Sequence, residues 1–199
     1  MANSDLRQVI IDYLSTPQTI VSDEPVPGMT GWHKLQYGGG MGAKAETVRF
    51  VKERSLPRRQ VHFVTFKDEE EREMHFACSV TQDEQGEWKF RGSAGGGGGG
   101  KIVREQPWAN LAGSWPYDFY AGGYVIDNGL DVVRVRLTAS NGVVMEDSVD
   151  DGIVLFLSDQ MVEVPLQVEL YDRAGNVVGN HTAFKIPPRQ DSGQISCSI

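Results

Sequence analysis

Cysteine is scarce: Cys78 and Cys197 are the two in 199 residues. That excludes the dense, paired spacing of a small disulfide-built scaffold, and with no Cys-x-x-Cys it excludes the usual local zinc and redox motifs. Positive charge is also short, with 19 Lys plus Arg against 27 Asp plus Glu and a formal net charge of −8. A nucleic-acid binder needs an excess of cations on at least one face, and the single dense basic run is Lys52 to Arg59. Nucleic acid and anionic membrane surfaces are therefore not expected partners. Long apolar runs are missing too. No window approaches the ~20 apolar residues of a membrane span. Val9 to Ile11 is too short and polar in context for a signal-peptide core, so a cytoplasmic protein is expected.

What the chain has is periodicity. Leu6, Val9, Ile10, Tyr13 and Leu14 form one apolar stripe of a helix. Asn3 or Ser4 can cap its start, and Thr16-Pro17 stops it because the residue before proline avoids helical angles. Pro25, Pro27 and Gly28 mark an irregular stretch, and beyond them the period changes to two. Val61, Phe63 and Thr65 alternate with His62, Val64 and Phe66; Met74, Phe76, Cys78 and Val80 follow, then Trp88 and Phe90. The charged connections Lys67 to Glu73 and Gln82 to Glu87 make these runs antiparallel hairpins. Residues 43–54 read as strand or short helix, and their β-branched and aromatic content favours strand.

Glycine is plentiful at 23 residues, and Gly95 to Gly100 form an unbroken run of six that suits a flexible joint. Beyond it, Val133, Val135 and Leu137, the hairpin turn Asn141-Gly142, and the runs Ile153 to Leu157, Val162 to Tyr171 and Val177 to Phe184 are again β. Pro165 within its run points to an edge strand. The expected fold is mainly β (α+β). A helix-plus-meander lobe spans 1–94, a Gly-rich joint 95–106, a β-sandwich lobe 107–186 that resembles immunoglobulin-like modules in architecture, and a polar tail 187–199.

Four constellations invite a chemical reading. Gly38-Gly39-Gly40-Met41-Gly42-Ala43 satisfies G-x-G-x-x-A, whose backbone N–H groups and following helix would cradle a pyrophosphate. Its surroundings are hairpins rather than repeated βαβ units, and Trp32 to Tyr37 is too polar for a doubly buried first strand. Asp147, Asp150 and Asp151, before Gly152, could supply calcium ligands, although turn aspartates serve solubility equally well. His33, His62, His75 and His181 are dispersed; His62 and His75 could face each other across a hairpin, but solvent-facing strand positions are commoner. Lys52, Arg54, Arg58 and Arg59 flank Pro57 and read as a solvated loop.

The aromatic stretch from Trp108 to Tyr124 is the strongest binding signal, since Trp and Tyr anchor interfaces and stack on ligands. The expectation is a non-catalytic binding or interaction protein using Trp108, Trp115, Tyr117 and Tyr120 on a β scaffold, with no cofactor. Its partner would be a protein or small molecule, with a homo-oligomer as a further possibility. The competing expectations are a nucleotide-dependent enzyme with its phosphate loop at 38–43, and a structural subunit of a homo-oligomer.

Overall fold

A computed structural model describes residues 2–25, 33–97 and 104–185. Helix α1 (Ala2–Ser15) is followed by β1 (Gln18–Pro25), β2 (His33–Gly39) and a 3-10 turn, Ala45–Thr47. The meander is β3 (Arg49–Leu56), β4 (Arg59–Lys67), β5 (Glu73–Gln82) and β6 (Trp88–Gly97). Then come β7 (Trp108–Ser114), β8 (Tyr120–Ile126), β9 (Val132–Ala139), β10 (Val144–Ser148), β11 (Ile153–Leu157), β12 (Leu166–Asp172) and β13 (Val177–Ala183). The chain is mainly β with an N-terminal helix, as its periodicity predicts.

The strands form a β1-β2 ribbon, a meander sheet β3-β4-β5-β6, a central sheet β11-β8-β7 and an outer sheet β10-β9-β12-β13, all antiparallel. Three apolar clusters stack these layers. Leu6, Ile10 and Leu14, four residues apart and fully buried, press α1 onto Val64, Phe66, Phe76, Cys78 and Val80; each such side chain contributes roughly 1.5–3 kcal/mol. The opposite face of the meander sends Val61, Phe63 and Ala77 against Tyr120, Ile153 and Leu155 of the central sheet. That sheet's other face packs Ala121, Val154 and Phe156 against Val135, Leu137, Val168 and Leu170 of the outer sheet.

The central sheet is thus covered on both sides, which explains its small residues. A Cβ at Gly122 would come within 2.9 Å of Leu155 Cδ1 and 3.0 Å of Phe63 Cδ2, so only glycine lets the meander approach. The meander is also covered on both faces, and this corrects the histidine reading. His62 is buried on the helix side, edge-on to Phe50 at 5.5 Å. His75 lies on the other face, 4.8 Å from the Tyr124 ring. Their ladder partners are Cys78 and Thr65, so they do not oppose each other.

Two bulges interrupt the edge strands of the meander. In β3, Phe50 pairs with Val64 and Lys52 with Phe63, leaving Val51 as the extra residue. In β6, Phe90 pairs with Val80 and Gly92 with Ser79, leaving Arg91 extra. One inserted residue flips every following side chain to the opposite face. Without it Lys52 would share the helix-facing side of Phe50; with it Lys52 turns to the central sheet.

Three further positions differ from expectation. Strand β12 is an inner strand between β9 and β13, and Pro165 stands just ahead of its first residue, where a missing N–H breaks no ladder bond. β1 carries no clear alternation and escapes a periodicity search. Gly95 to Gly97 finish β6, paired with Met74 to Phe76, rather than opening a joint; residues 98–103 and the 187–199 tail lie outside the described residues. No helix among the described residues is long and apolar enough to cross a membrane.

Candidate functional site

The connections 57–58, 83–87, 115–119, 140–143 and 158–165 gather at one end of the stack. Hydrogen bonds tie them together: Val162 N–H donates to Pro116 O at 3.1 Å, Ser158 N–H to Phe119 O at 3.1 Å, and Asn141 Nδ2 to Met161 O at 2.8 Å. Trp115 and Tyr117 stand out from this end, 40% and 71% exposed, and Met161 is 43% exposed. Trp115 leans on Phe184 with ring centroids 4.8 Å apart.

Behind the 115–119 loop, a cleft of about 720 Å³ separates the meander from the central sheet. Its meander wall carries Arg59, Ser79, Thr81, Arg91, Gly92 and Ser93; its central-sheet wall carries Gly113, Ser114, Tyr117, Asp118 and Tyr120. Its volume falls within the range of small-molecule sites, and its lining is mostly polar. Arg59 is the buried charge of the site, its side chain 8% exposed. It spans the two sheets, with Nη1 donating to Ser158 O at 3.2 Å and Nη2 to the carbonyls of Asp118 and Phe119. The Asp118 carboxylate is 3.5 Å away. Burial pulls Arg59 below the ordinary arginine value, and the Asp118 charge opposes that pull. Its Nε–H is buried without a partner among the described residues. Tyr120 is 5% exposed, and burial pushes its hydroxyl up to about 12, so it stays a donor.

Of the four aromatic residues expected at a site, Tyr117 and Tyr120 line this cleft and Trp115 stands beside it. Trp108 lies at the far end of β7, stacked on His181 at 3.6 Å between centroids with the Arg104 guanidinium 4.6 Å from its ring. Burial holds His181 down at about 4. Its Nε2 lies 3.1 Å from Ala109 O, the acceptor of an Nε2–H donor.

The basic run 52–59 is not a solvated loop. Lys52 and Asp147 face each other at 2.8 Å with side chains 6% and 2% exposed. Lys52 Nζ also meets Asp150 Oδ2 at 2.8 Å and the Ser148 and Ile153 carbonyls at 2.5 and 3.2 Å, while Arg54 pairs with the other Asp147 oxygen. Asp147 Oδ2 accepts the Leu155 N–H at 2.7 Å as well. Two of the aspartates considered for calcium are therefore spent on a lysine. No group of three or more His, Cys, Asp or Glu among the described residues is arranged to hold a metal ion.

The Gly38 to Ala43 loop has a structural occupation that corrects its phosphate-loop reading. Met41, Gly42 and Ala43 donate their N–H groups to Leu14 O, Thr16 O and Leu14 O at 3.0, 3.1 and 2.9 Å. They cap the carbonyl end of α1, the end that attracts donors rather than anions. A Cβ at Gly40 would collide with the Tyr13 and Thr16 carbonyls, which is why glycine stands there. A three-residue 3-10 turn and strand β3 follow, so no helix N-terminus faces the loop.

No protein-family model, curated protein or solved structure matches the chain. Sequence reasoning missed Arg59 and Arg91 as site residues. Arg91 alternates with Phe90, which legibly sets its face, but what that face opens onto depends on how the sheets stack. Arg59 could have been found from its place immediately before the two-sided apolar run 61–66, where a charge enters a sheet covered on both faces.

Proposed function

We propose that the chain is a non-catalytic binding module that takes its ligand at the loop-rich end of the stack, where Tyr117 lines the Arg59 cleft and Trp115 stands exposed in the same loop. The observation that carries this reading is the coincidence of two exposed aromatic side chains with a polar cleft of about 720 Å³. Exposed rings beside fixed hydrogen-bonding groups are the usual composition of a recognition surface. Loops gathered at one end of a two-sheet sandwich are also how immunoglobulin-like modules present contacts, and that likeness belongs to the proposal.

A binding role rather than catalysis is favoured by the state of the nucleophiles and bases. Cys78 is fully buried and its thiol is pushed up by burial, the opposite of an activated cysteine. Among the described residues, His62 and His181 meet Gln60 Oε1 and Ala109 O rather than a hydroxyl or thiol. The buried free thiol of Cys78 also suits the cytoplasmic setting that completes the proposal.

Fragment mapping by NMR tests the reading. Small polar and aromatic fragments titrated into the labelled chain are expected to shift amides of 79–82, 91–93 and 113–120 more than any other group. Hits scattered evenly over the surface, or gathered at Trp108 and the opposite end, would contradict it.

A further inference from the structure

Two arginines reach the same cleft from different strands, in a chain whose net charge is −8. Arg91 is the bulge residue of β6, and its Nε donates to Thr81 Oγ1 at 2.6 Å. Thr81 is the ladder partner of Arg59. Arg91 follows Phe90, whose ring packs on the helix side, and so faces the side of the sheet that Arg59 occupies; the bulge sets Gly92 on that side as well. The Thr81 bond holds Arg91 through Nε and leaves both terminal amino groups for another acceptor. No carboxylate pairs with Arg91 among the described residues. The one acid in the cleft, Asp118, is 85% exposed and already sits 3.5 Å from Arg59. Arg59 adds its partnerless Nε–H, a buried donor whose vacancy costs stability until something accepts from it. The hydroxyls of Ser79, Ser114 and Tyr120 make no hydrogen bond to described residues, so they too are available.

We infer that this cleft recognises an oxyanion, a carboxylate or phosphate group of a small molecule or side chain, bound by Arg91 beside the fixed charge of Arg59 and finished by the Ser79, Ser114 and Tyr120 hydroxyls. Guanidinium groups suit planar carboxylates and phosphates because their N–H forks pair with two oxygens at once. The inference rests on the binding reading above and specifies what that site holds. Two arginines against the single carboxylate of Asp118 give this recess a local excess of positive charge in a protein of net charge −8, which favours an anion there.

The test is an NMR titration of the labelled full chain with inorganic phosphate, with acetate, and with glycerol as a neutral polyol. Saturable shifts at Gly92, Ser93, Gly113 and Ser114 are expected with at least one anion and not with glycerol; the stronger of the two anions identifies phosphate or carboxylate as the natural group. Arg91→Gln, an exposed position, is expected to keep the melting temperature and weaken the anion by about tenfold, the value of one charge-assisted pair. Failure of both anions to saturate, an equal response to glycerol, or an undiminished response in Arg91→Gln would each overturn the inference. If neutral fragments still map to the cleft in that event, the binding reading survives; if nothing maps there, both fall.

Discussion

The meander and central sheets meet along two flanks that solve the same problem in opposite ways. On each flank an edge strand carries a bulge beside an inward-facing cation, Lys52 after Val51 in β3 and Arg91 in β6. On the β3–β11 flank the cation is met by Asp147 and Asp150, and Asp147 is further pinned by Arg54 and the Leu155 N–H. That flank is shut. On the β6–β7 flank no carboxylate answers Arg91 among the described residues, and the sheets part into a cleft. The contrast is between an inward cation that becomes a structural staple because its partner is built in and one that, on the function proposed above, is left for a partner from outside.

Breaking the closed flank should have the largest effect. Asp147→Ala leaves Lys52 buried without its main counter-charge and is expected to cost about 3–5 kcal/mol in urea unfolding, whereas the double change Lys52→Met with Asp147→Leu should recover most of that loss. A double variant as unstable as the single one would mean that the staple is more than an ion pair.

Arg59 lies between the flanks in character, holding carbonyls of three residues while facing the cleft. Arg59→Met is expected to destabilise by roughly 2–3 kcal/mol, because carbonyls lose a charged donor. Equilibrium unfolding reads this, and a neutral result would show that the guanidinium does not tie the sheets.

Acid should separate the regions next. Lys52, through its bond to the carboxylate, holds Asp150 below the usual carboxylate range, so Asp150 keeps its charge at pH 5. Burial lowers His62, His75 and His181, the last to about 4. These histidines stay neutral in the folded chain while the unfolded chain takes up protons below about 6.5. Stability is therefore expected to be flat above pH 7 and to fall as pH drops from 6.5 towards 4, read as a falling urea midpoint. His181→Gln should flatten part of the slope. A midpoint that rises on acidification would contradict the assignment.

Arg91→Gln should be the quietest change, within about 0.5 kcal/mol of the parent by thermal melting. A large loss would make the open flank structural after all.

Much of this architecture is legible in the residues. The i, i+4 stripe of Leu6, Ile10 and Leu14, the alternation through β4, β5 and β9, and the Asn141-Gly142 turn each specify their element through local geometry alone. Tyr117 beside Tyr120 was visible as an aromatic cluster, but Trp108, in the same stretch, ends at the other end of β7 because a strand of seven residues is about 20 Å long. The stacking of three sheets was written less plainly. Apolar residues of both parities in 61–66, and Ala121-Gly122-Gly123 between two tyrosines, are its trace: a doubly covered strand needs no polar face, and close sheets need small residues. Bulges have no such trace, since they arise from pairing between strands, and the inward turn of Lys52 depends on one.

The most direct measurement repeats the fragment mapping on Gly92→Leu. A Cβ at Gly92 meets nothing closer than the Tyr120 hydroxyl at 3.6 Å, so the longer side chain extends into the cleft with the β6 backbone undisturbed. The account predicts an unchanged melting temperature and loss of the shifts at 79–82, 91–93 and 113–120. Fragments that bind the filled variant as they bind the parent would contradict it.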